Sequence, residues 1–415
     1  MDDIILEDVV VKGRKVEYSF SVTGKIKKYF TTNKIWIEYP EDMSKVPLSI
    51  LTIPFVANLI PITWFTNSVL WVREVDRTFY DSIKSIKYAY QELHYDFPFK
   101  GRFVSAIITD NTLTSDEDTS LLLFSGGVDA QTSYLRNTNK NLCLCNIQGW
   151  YRSENDVDQA ADIEQSYVFD FAQSHGCSSV FMKSNFATII NMKEFRPLEK
   201  KLKDGWWHGF NHSMAFISVS IPYCYSKNIK EIIIASSSTI GDKISSGSYI
   251  TTDSEFKYAT SGKTLHDAFE LTRQEKVAQI CAHQINSGAQ YPLRVCSFNN
   301  DNCCKCEKCF RTVLAIVAEG GDVRNFGFDI DIPLKEFYTS VMYDKLAMWG
   351  LGLEQEIYWE GIKERMIGNY DNIIEKDFVD WFMTFDFIAE KKKALRRYYA
   401  TNFWSIVRRK IKERF

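Results

Sequence analysis

Two short stretches of this chain carry side chains whose types and spacing suit chemistry. The first is Cys296, Cys303, Cys306 and Cys309, spaced C-x6-C-x2-C-x2-C, with Cys304 as an extra. Zn2+ takes four thiolates in a tetrahedron, and a C-x2-C pair brings two sulfurs to one ion through a tight turn. The neighbouring Asn299, Asn300, Asp301 and Asn302 are too polar for a stretch of buried, unligated cysteines. Lys305, Lys308 and Arg311 would offset the charge of four thiolates. An iron–sulfur cluster is the rival metal reading. The second stretch is the run from Leu121 to Ala130, Leu-Leu-Leu-Phe-Ser-Gly-Gly-Val-Asp-Ala. An apolar strand that ends in Gly126-Gly127 and turns into a helix presents backbone N–H groups at the helix start, a cradle for phosphate. Ser125 adds a hydroxyl donor, and Asp129 a carboxylate suited to Mg2+ or to holding the loop.

Further polar candidates lie downstream. Ser236, Ser237, Ser238 and Thr239 follow an apolar run, Glu231–Ala235, and so mark the carboxyl end of a strand, where open α/β sheets place ligands. Asp253, Glu255, His266, Asp267, Arg273, Glu275 and Lys276 are expected in the loop and helix beyond. Trp206-Trp207-His208-Gly209 forms a second patch, in which His208 or His212 suits acid–base work. Cys143 and Cys145 sit inside an apolar run and read as core.

The elements that must position these residues follow from periodicity. From Leu121 onward strands and helices alternate: strands at Leu121–Phe124, Leu142–Ile147, Ser179–Lys183 and Glu231–Ala235, helices at Asp129–Arg136, Val157–Ser174 and Phe210–Tyr225. This rhythm predicts an α/β fold with a mainly parallel sheet flanked by helices. Helices at Arg273–Gln284 and Cys309–Glu319 flank the cysteines. Residues 1–115 read as a β-rich domain ending in a helix, with strands at Lys15–Val22 and Trp36–Tyr39 and the helix at Asp76–Tyr90. The polar stretch Asp110–Ser120 reads as a linker, residues 121–320 as the nucleotide domain with its metal knot, and residues 330–415 as a helical extension with a basic tail. Aromatic residues among the tail's Lys and Arg suggest a helix docked by one face and solvated on the other.

Composition bounds the function classes. Hydrophobic residues at 45% and charged residues at 25% exclude a disordered or collagen-like chain. A net charge of -3 gives no general attraction to nucleic acid, which leaves that partner open. Pro47–Val72 has no charged residue and the length of a membrane span, but Pro47, Pro54 and Pro61 interrupt it. Buried strands and turns of a soluble domain are the expectation there. Met1–Val10 lacks the basic start of a signal peptide, and the ten cysteines cluster rather than spread, so a reducing, cytoplasmic setting is expected.

Ser125-Gly126-Gly127-Val128-Asp129 resembles the pyrophosphatase loop of the N-type ATP pyrophosphatases, usually Ser-Gly-Gly-x-Asp-Ser/Thr. The resemblance implies a five-stranded parallel sheet of the adenine nucleotide α-hydrolase type. It also implies that residues 125–129 bind ATP with Mg2+, and that cleavage yields AMP and pyrophosphate. Ala130 stands where the family usually has a hydroxyl, and Thr132 matches a second hydroxyl position. Loop and cysteine knot together resemble the family of enzymes that make 7-cyano-7-deazaguanine, over about Leu121 to Glu319. That resemblance implies a C–N bond-forming ligase that activates a carboxylate as an acyl-adenylate, giving an amide, nitrile or conjugate, with zinc structural. Its partners would be ATP, a small carboxylate or deazapurine, and a protein acceptor or a second copy of the chain. Asp129, Lys276 and Arg273 would be catalytic, the two cations balancing charge at the α-phosphate. Enlarged relatives of this kind occur in antiphage defence operons and near surface-polysaccharide genes. The alternatives are tRNA thiolation, which needs a reactive cysteine such as Cys143, Cys145 or Cys304, and a nucleotide-binding subunit that has lost catalysis.

Overall fold

Among the described residues eleven strands form one mixed sheet, in the order β10-β11-β9-β6-β7-β8-β3-β2-β1-β4-β5. They are β1 (Asp3–Lys12), β2 (Lys15–Val22), β3 (Lys34–Glu38), β4 (Val69–Asp76), β5 (Arg102–Thr109), β6 (Thr119–Leu123), β7 (Asn141–Gln148), β8 (Ser178–Ser184), β9 (Glu231–Ala235), β10 (Lys257–Tyr258) and β11 (Gly262–Asp267). The computed structural model describes residues 2–114, 119–149, 154–241, 246–296 and 301–412, and the side chains of these except 154–163, 353–354 and 403–412. The chain divides into two units, Met1–Thr272 and Arg273–Phe415.

The first unit holds the whole sheet. Neighbours β11, β9, β6, β7 and β8 pair in parallel. The apolar runs expected at 142–147 and 179–183 are β7 and β8, buried strands joined by helical crossovers as parallel pairing requires. In place of a sheet of five strands there are eleven, because β3 pairs antiparallel with β8 through Ile37–Ser184 and Glu38–Lys183. That one junction joins the strands of residues 3–109 to the strands that flank the glycine loop. The helix Arg77–Leu93, capped by the Asp76 carboxylate accepting from the Phe79 N–H, does not close the N-terminal region, since β5 follows it and pairs with β4.

The uncharged segment 47–72 departs from its expected strands and turns. It forms the short helix Leu48–Leu51, then the helix Ile53–Thr66, then enters β4. Pro54 occupies the first turn, where a missing N–H costs nothing, while Pro61 lies inside the helix. An interior proline costs about 3 kcal/mol. Residues Ile53 to Phe65 are all buried, however, and each large side chain so enclosed contributes about 1.5–3 kcal/mol. Burial on every side therefore outweighs the proline. Among the described residues no helix is long and apolar enough to cross a membrane.

The second unit is helical and carries the cysteines. Helix Arg273–Ser287 opens it, and helix Glu307–Ala318 follows the cysteine knot. Phe310 on that helix is fully buried among Tyr338, Trp349, Trp359, Phe378, Phe382 and Phe387. The basic tail lies on the helix Phe387–Lys412. Its Ala394 is buried, Arg397 lies 4.0 Å over the Tyr343 ring, and Lys392 and Arg396 face solvent. Phe403 and Trp404 lie outside the described side chains.

Candidate functional site

The glycine loop sits where the parallel run reverses direction. From β6 the chain winds outward to β7 and β8, then returns to the other side of β6 for β9 and β11. The carboxyl ends of strands at such a reversal are splayed by crossovers leaving to opposite sides, which opens a ligand crevice. Phe124 N–H still bonds to the Cys145 carbonyl at 2.8 Å, so the pairing to β7 reaches the residue just before the loop. Ser125 is exposed. Gly126 has φ +81°, and a β-carbon there would lie 2.1 Å from the Tyr167 ring. Gly127 is extended (φ -73°, ψ 169°) and precedes the helix Val128–Arg136, which no side chain caps and which carries Asp129 in its first turn. The glycine demanded by geometry is therefore Gly126.

Thr132 lies one turn into helix Val128–Arg136. It is buried, and its hydroxyl donates to the Val128 carbonyl at 2.9 Å, a bond inside its own helix. Ala130 is also buried. Two features beside the loop were not read from the sequence. Tyr167 lies over Gly126 and accepts from Gln131 Nε2 at 2.8 Å. At the end of β7, Asn146 donates to the Phe124 carbonyl at 3.3 Å, and Gln148 donates to Asn146 and to Glu164 Oε2, the latter at 3.0 Å. All three side chains are buried. The available signal was Asn146 and Gln148 at alternate positions closing an otherwise apolar strand, a polar pair on one face.

Past β9, Ser236 is buried and its hydroxyl donates to the Ser238 carbonyl at 2.8 Å, while Ser237 is exposed. His266 and Asp267, expected in a loop, are the last residues of β11. His266 Nδ1 lies 2.8 Å from Asp253 Oδ2, and both side chains are fully enclosed. Ser248 donates to the same carboxylate oxygen at 2.8 Å. Such a carboxylate holds the proton on Nδ1 and leaves Nε2 as the acceptor, and Nε2 is buried without a hydrogen-bond partner. Glu255 is only half-buried and lies 3.8 Å from Lys257.

Asp253 ends the short helix Ile250–Asp253, and the turn before that helix is clamped on the second patch. Residues Trp207–Asn211 form a π-helical turn, a distortion that recurs at functional sites. Gly247 donates to the His208 carbonyl at 2.9 Å, and its own carbonyl accepts from Tyr90, Ser213 and Thr252. A β-carbon on Gly247 would meet Gly209 backbone at 2.7 Å. His208 Nδ1 lies 2.9 Å from Asp204 and its side chain is half exposed. Burial pushes His212 down to about 4, which keeps it neutral at pH 7.

Arg273 and Lys276 belong to the second unit, in the first turn of its opening helix. Lys276 is buried. Arg273 lies 5.9 Å and Arg311 4.3 Å from the centre of the Tyr358 ring.

The four regularly spaced cysteines converge in that unit, their sulfurs all within 4.8 Å of one another. Cys303 and Cys306 lie 3.8 and 3.5 Å from Cys309. A tetrahedral ion with Zn–S bonds of about 2.3 Å separates its sulfurs by about 3.8 Å, so the donor set fits a metal ion of this kind. Asn302, which the sequence offered only as polarity, builds the turn. Its amide donates to the Leu293 and Gly327 carbonyls at 2.8 and 3.0 Å, and its oxygen accepts from the Val295 N–H at 3.0 Å. Hydrogen bonds from Cys306 and Cys309 hold the Cys303 thiol far below the usual thiol range. The contact with Cys303 pushes Cys306 up to about 12 and Cys309 higher still. These three thiols share protons until a cation replaces them.

Cys304 stands apart. It points to the Asn302 and Asp329 carbonyls, and burial pushes it up to about 11. Cys304→Ser is expected to leave metal content unchanged at about one ion per chain, measured by atomic emission; loss of the ion would make Cys304 a ligand. Burial also raises Cys143, Cys145, Cys177, Cys224 and Cys281.

Compared with known proteins, the chain matches no family model and none of the curated proteins.

Proposed function

We propose that this chain is an ATP-dependent ligase of the N-type ATP pyrophosphatase kind, which activates a carboxylate by adenylation and passes the acyl group to an amine. The observation that carries the reading is the Ser125–Asp129 loop at the reversal point of the parallel strands. The strand sequence β8-β7-β6-β9-β11, with β6 first in the chain, supports the adenine nucleotide α-hydrolase arrangement within the larger sheet. In this reading the Ser125 hydroxyl and the backbone N–H groups after Gly126 bind the terminal phosphates of ATP. Asp129 would hold Mg2+, which supplies charge neutralisation on those phosphates.

A carboxylate oxygen attacks the α-phosphorus, the bond to the bridging oxygen of the β-phosphate breaks, and pyrophosphate leaves. The amine then attacks the acyl carbon, AMP departs, and the nitrogen loses a proton. A Walker loop would instead place Gly-Lys-Ser/Thr at the helix start, where this chain has Gly127-Val128-Asp129. The polar residues at the ends of β9 and β11, with Asp253 and His208 beyond, are the acceptor side of this reading. The four-cysteine site would hold Zn2+ structurally. A 7-deazapurine carboxylate is the first substrate to try.

A second reading, a nucleotide-binding subunit without turnover, draws on Ala130, which buries a methyl where a loop hydroxyl would stand. Thiolation is less favoured, because burial raises Cys143, Cys145 and Cys304 away from the reactive thiolate.

Incubation with α-labelled ATP, Mg2+, ammonium and 7-carboxy-7-deazaguanine, then a panel of other carboxylates, is expected to give labelled AMP and pyrophosphate. Labelled ADP as the only product would overturn the reading. Tight ATP binding without any product across the panel would favour the second.

A further inference from the structure

Strand β5 ends the sheet, with β4 on its inner side and, among the described residues, no strand on its outer side. Its run Phe103–Thr109 (Phe-Val-Ser-Ala-Ile-Ile-Thr) contains no charged residue and no proline. Ala106 and Ile107 are exposed, and on neighbouring β4 so is Trp71. Edges are normally blunted by charge, proline or a covering element, and this one carries charge only at its two ends: Arg102 before the run and Asp110 after it. We infer that β5 is the seam of a two-fold dimer, in which it pairs antiparallel with β5 of a second copy of this chain.

The ends of the strand select the register. Opposed residues in an antiparallel pair point to the same face, and side chains alternate, so a strand pairing with its own copy must centre on a residue. Centring on Ala106 sets Arg102 opposite Asp110 of the other copy, and the two-fold axis repeats that opposition at the far end. The Asp110 side chain pairs with Arg77 Nε at 3.1 Å yet stays 76% exposed, so Arg102 of the second copy would share that carboxylate. Centring on Ser105 sets Arg102 against Ile108, and centring on Ile107 sets Asp110 against Val104. Within residues 102–110 only the Ala106 register opposes charges of different sign, and it also places Phe103 opposite Thr109 and Val104 opposite Ile108. Aromatic and β-branched partners of this kind stabilise antiparallel pairs.

Within the chain Trp71 pairs with Val104 and Val75 with Ile108. The seam therefore continues one apolar row, Trp71–Val104–Ile108–Val75, from one copy into the other. On the opposite face Phe103 is already fixed, its ring 5.5 Å from that of Tyr80. The same patch serves both copies, so the interface closes at two.

Light scattering on the full chain across a broad concentration range is expected to give a dimer, and Ile107→Lys a monomer with an unchanged circular dichroism spectrum. Register is read separately by cross-linking. Opposed antiparallel residues have Cα atoms about 4.5–5.5 Å apart, inside the range a disulfide spans. Ala106→Cys is thus expected to give an oxidised dimer, while Val104→Cys is not, since residue 104 faces Ile108 rather than itself. A parent chain that is monomeric, or that associates open-endedly, would overturn the inference. So would a dimer that neither Ile107→Lys dissociates nor Ala106→Cys traps.

Discussion

Replacing Cys306 by Ser is expected to empty the four-cysteine site and unfold the second unit while the first keeps its structure. The site sits between the turn built by Asn302 and the start of helix Glu307–Ala318, whose Phe310 centres the aromatic core of that unit. Structural zinc in small domains is worth about 10–16 kcal/mol of folding free energy. Even if relaxation recovers most of it, a loss of about 4 kcal/mol lowers the midpoint of a domain this size by roughly 10–15 °C. The same contacts explain the direction: without a cation, Cys303, Cys306 and Cys309 compete for protons in a partly buried site. Metal analysis should fall from about one ion per chain to a small fraction. Limited proteolysis should then cut within residues 273–415 and spare 1–272. A Cys306→Ser protein that keeps its ion and its melting temperature would show that the cluster is not a metal centre.

Gly126→Val is expected to weaken ATP binding by about 100-fold or more, about 2.7 kcal/mol, with metal content unchanged. Two costs act together. The φ of +81° lies in the left-handed region, where a β-branched residue is strongly disfavoured. Its β-carbon would also meet the Tyr167 ring at 2.1 Å, and that ring is tied down by Gln131 and stacks on Phe171. Loop and ring cannot both stay, so the N–H groups at the start of helix Val128–Arg136 turn away from their common focus. Titration calorimetry with ATP and Mg2+ reads the affinity, and a thermal melt reads the cost to folding. A variant that binds ATP within about threefold of the parent, under 0.7 kcal/mol, would make residues 125–129 a turn and nothing more.

The sequence by itself located the glycine loop with the strands around it and the four cysteines whose sulfurs converge. Glu231–Ala235 stands with the bounds read from its apolar run, and the β7 and β8 runs are one residue longer at each end. These signals are local: an apolar run, a glycine pair, a cysteine spacing. Each is written within about fifteen residues, where backbone preference and periodicity act.

What only the tertiary structure decided depends on groups far apart in the chain. Gly126 rather than Gly127 needs to be glycine because Tyr167 comes to lie over it. Asp253 and His266 become a pair because β11 runs beside β9 and the Gly247 turn is pinned to residues 207–211. Segment 53–66 is a helix despite Pro61 because the first unit encloses it on all sides, a burial term that no local window contains. The N-terminal strands join the main sheet through two residue pairs of β3 and β8. Hydrophobic alternation marks a strand but does not name its neighbour, since any strand with one apolar face satisfies the same pattern. Neighbour choice is set by the crossovers and by what the whole core can bury, and that is why the edge at β5 was visible only once the sheet was assembled.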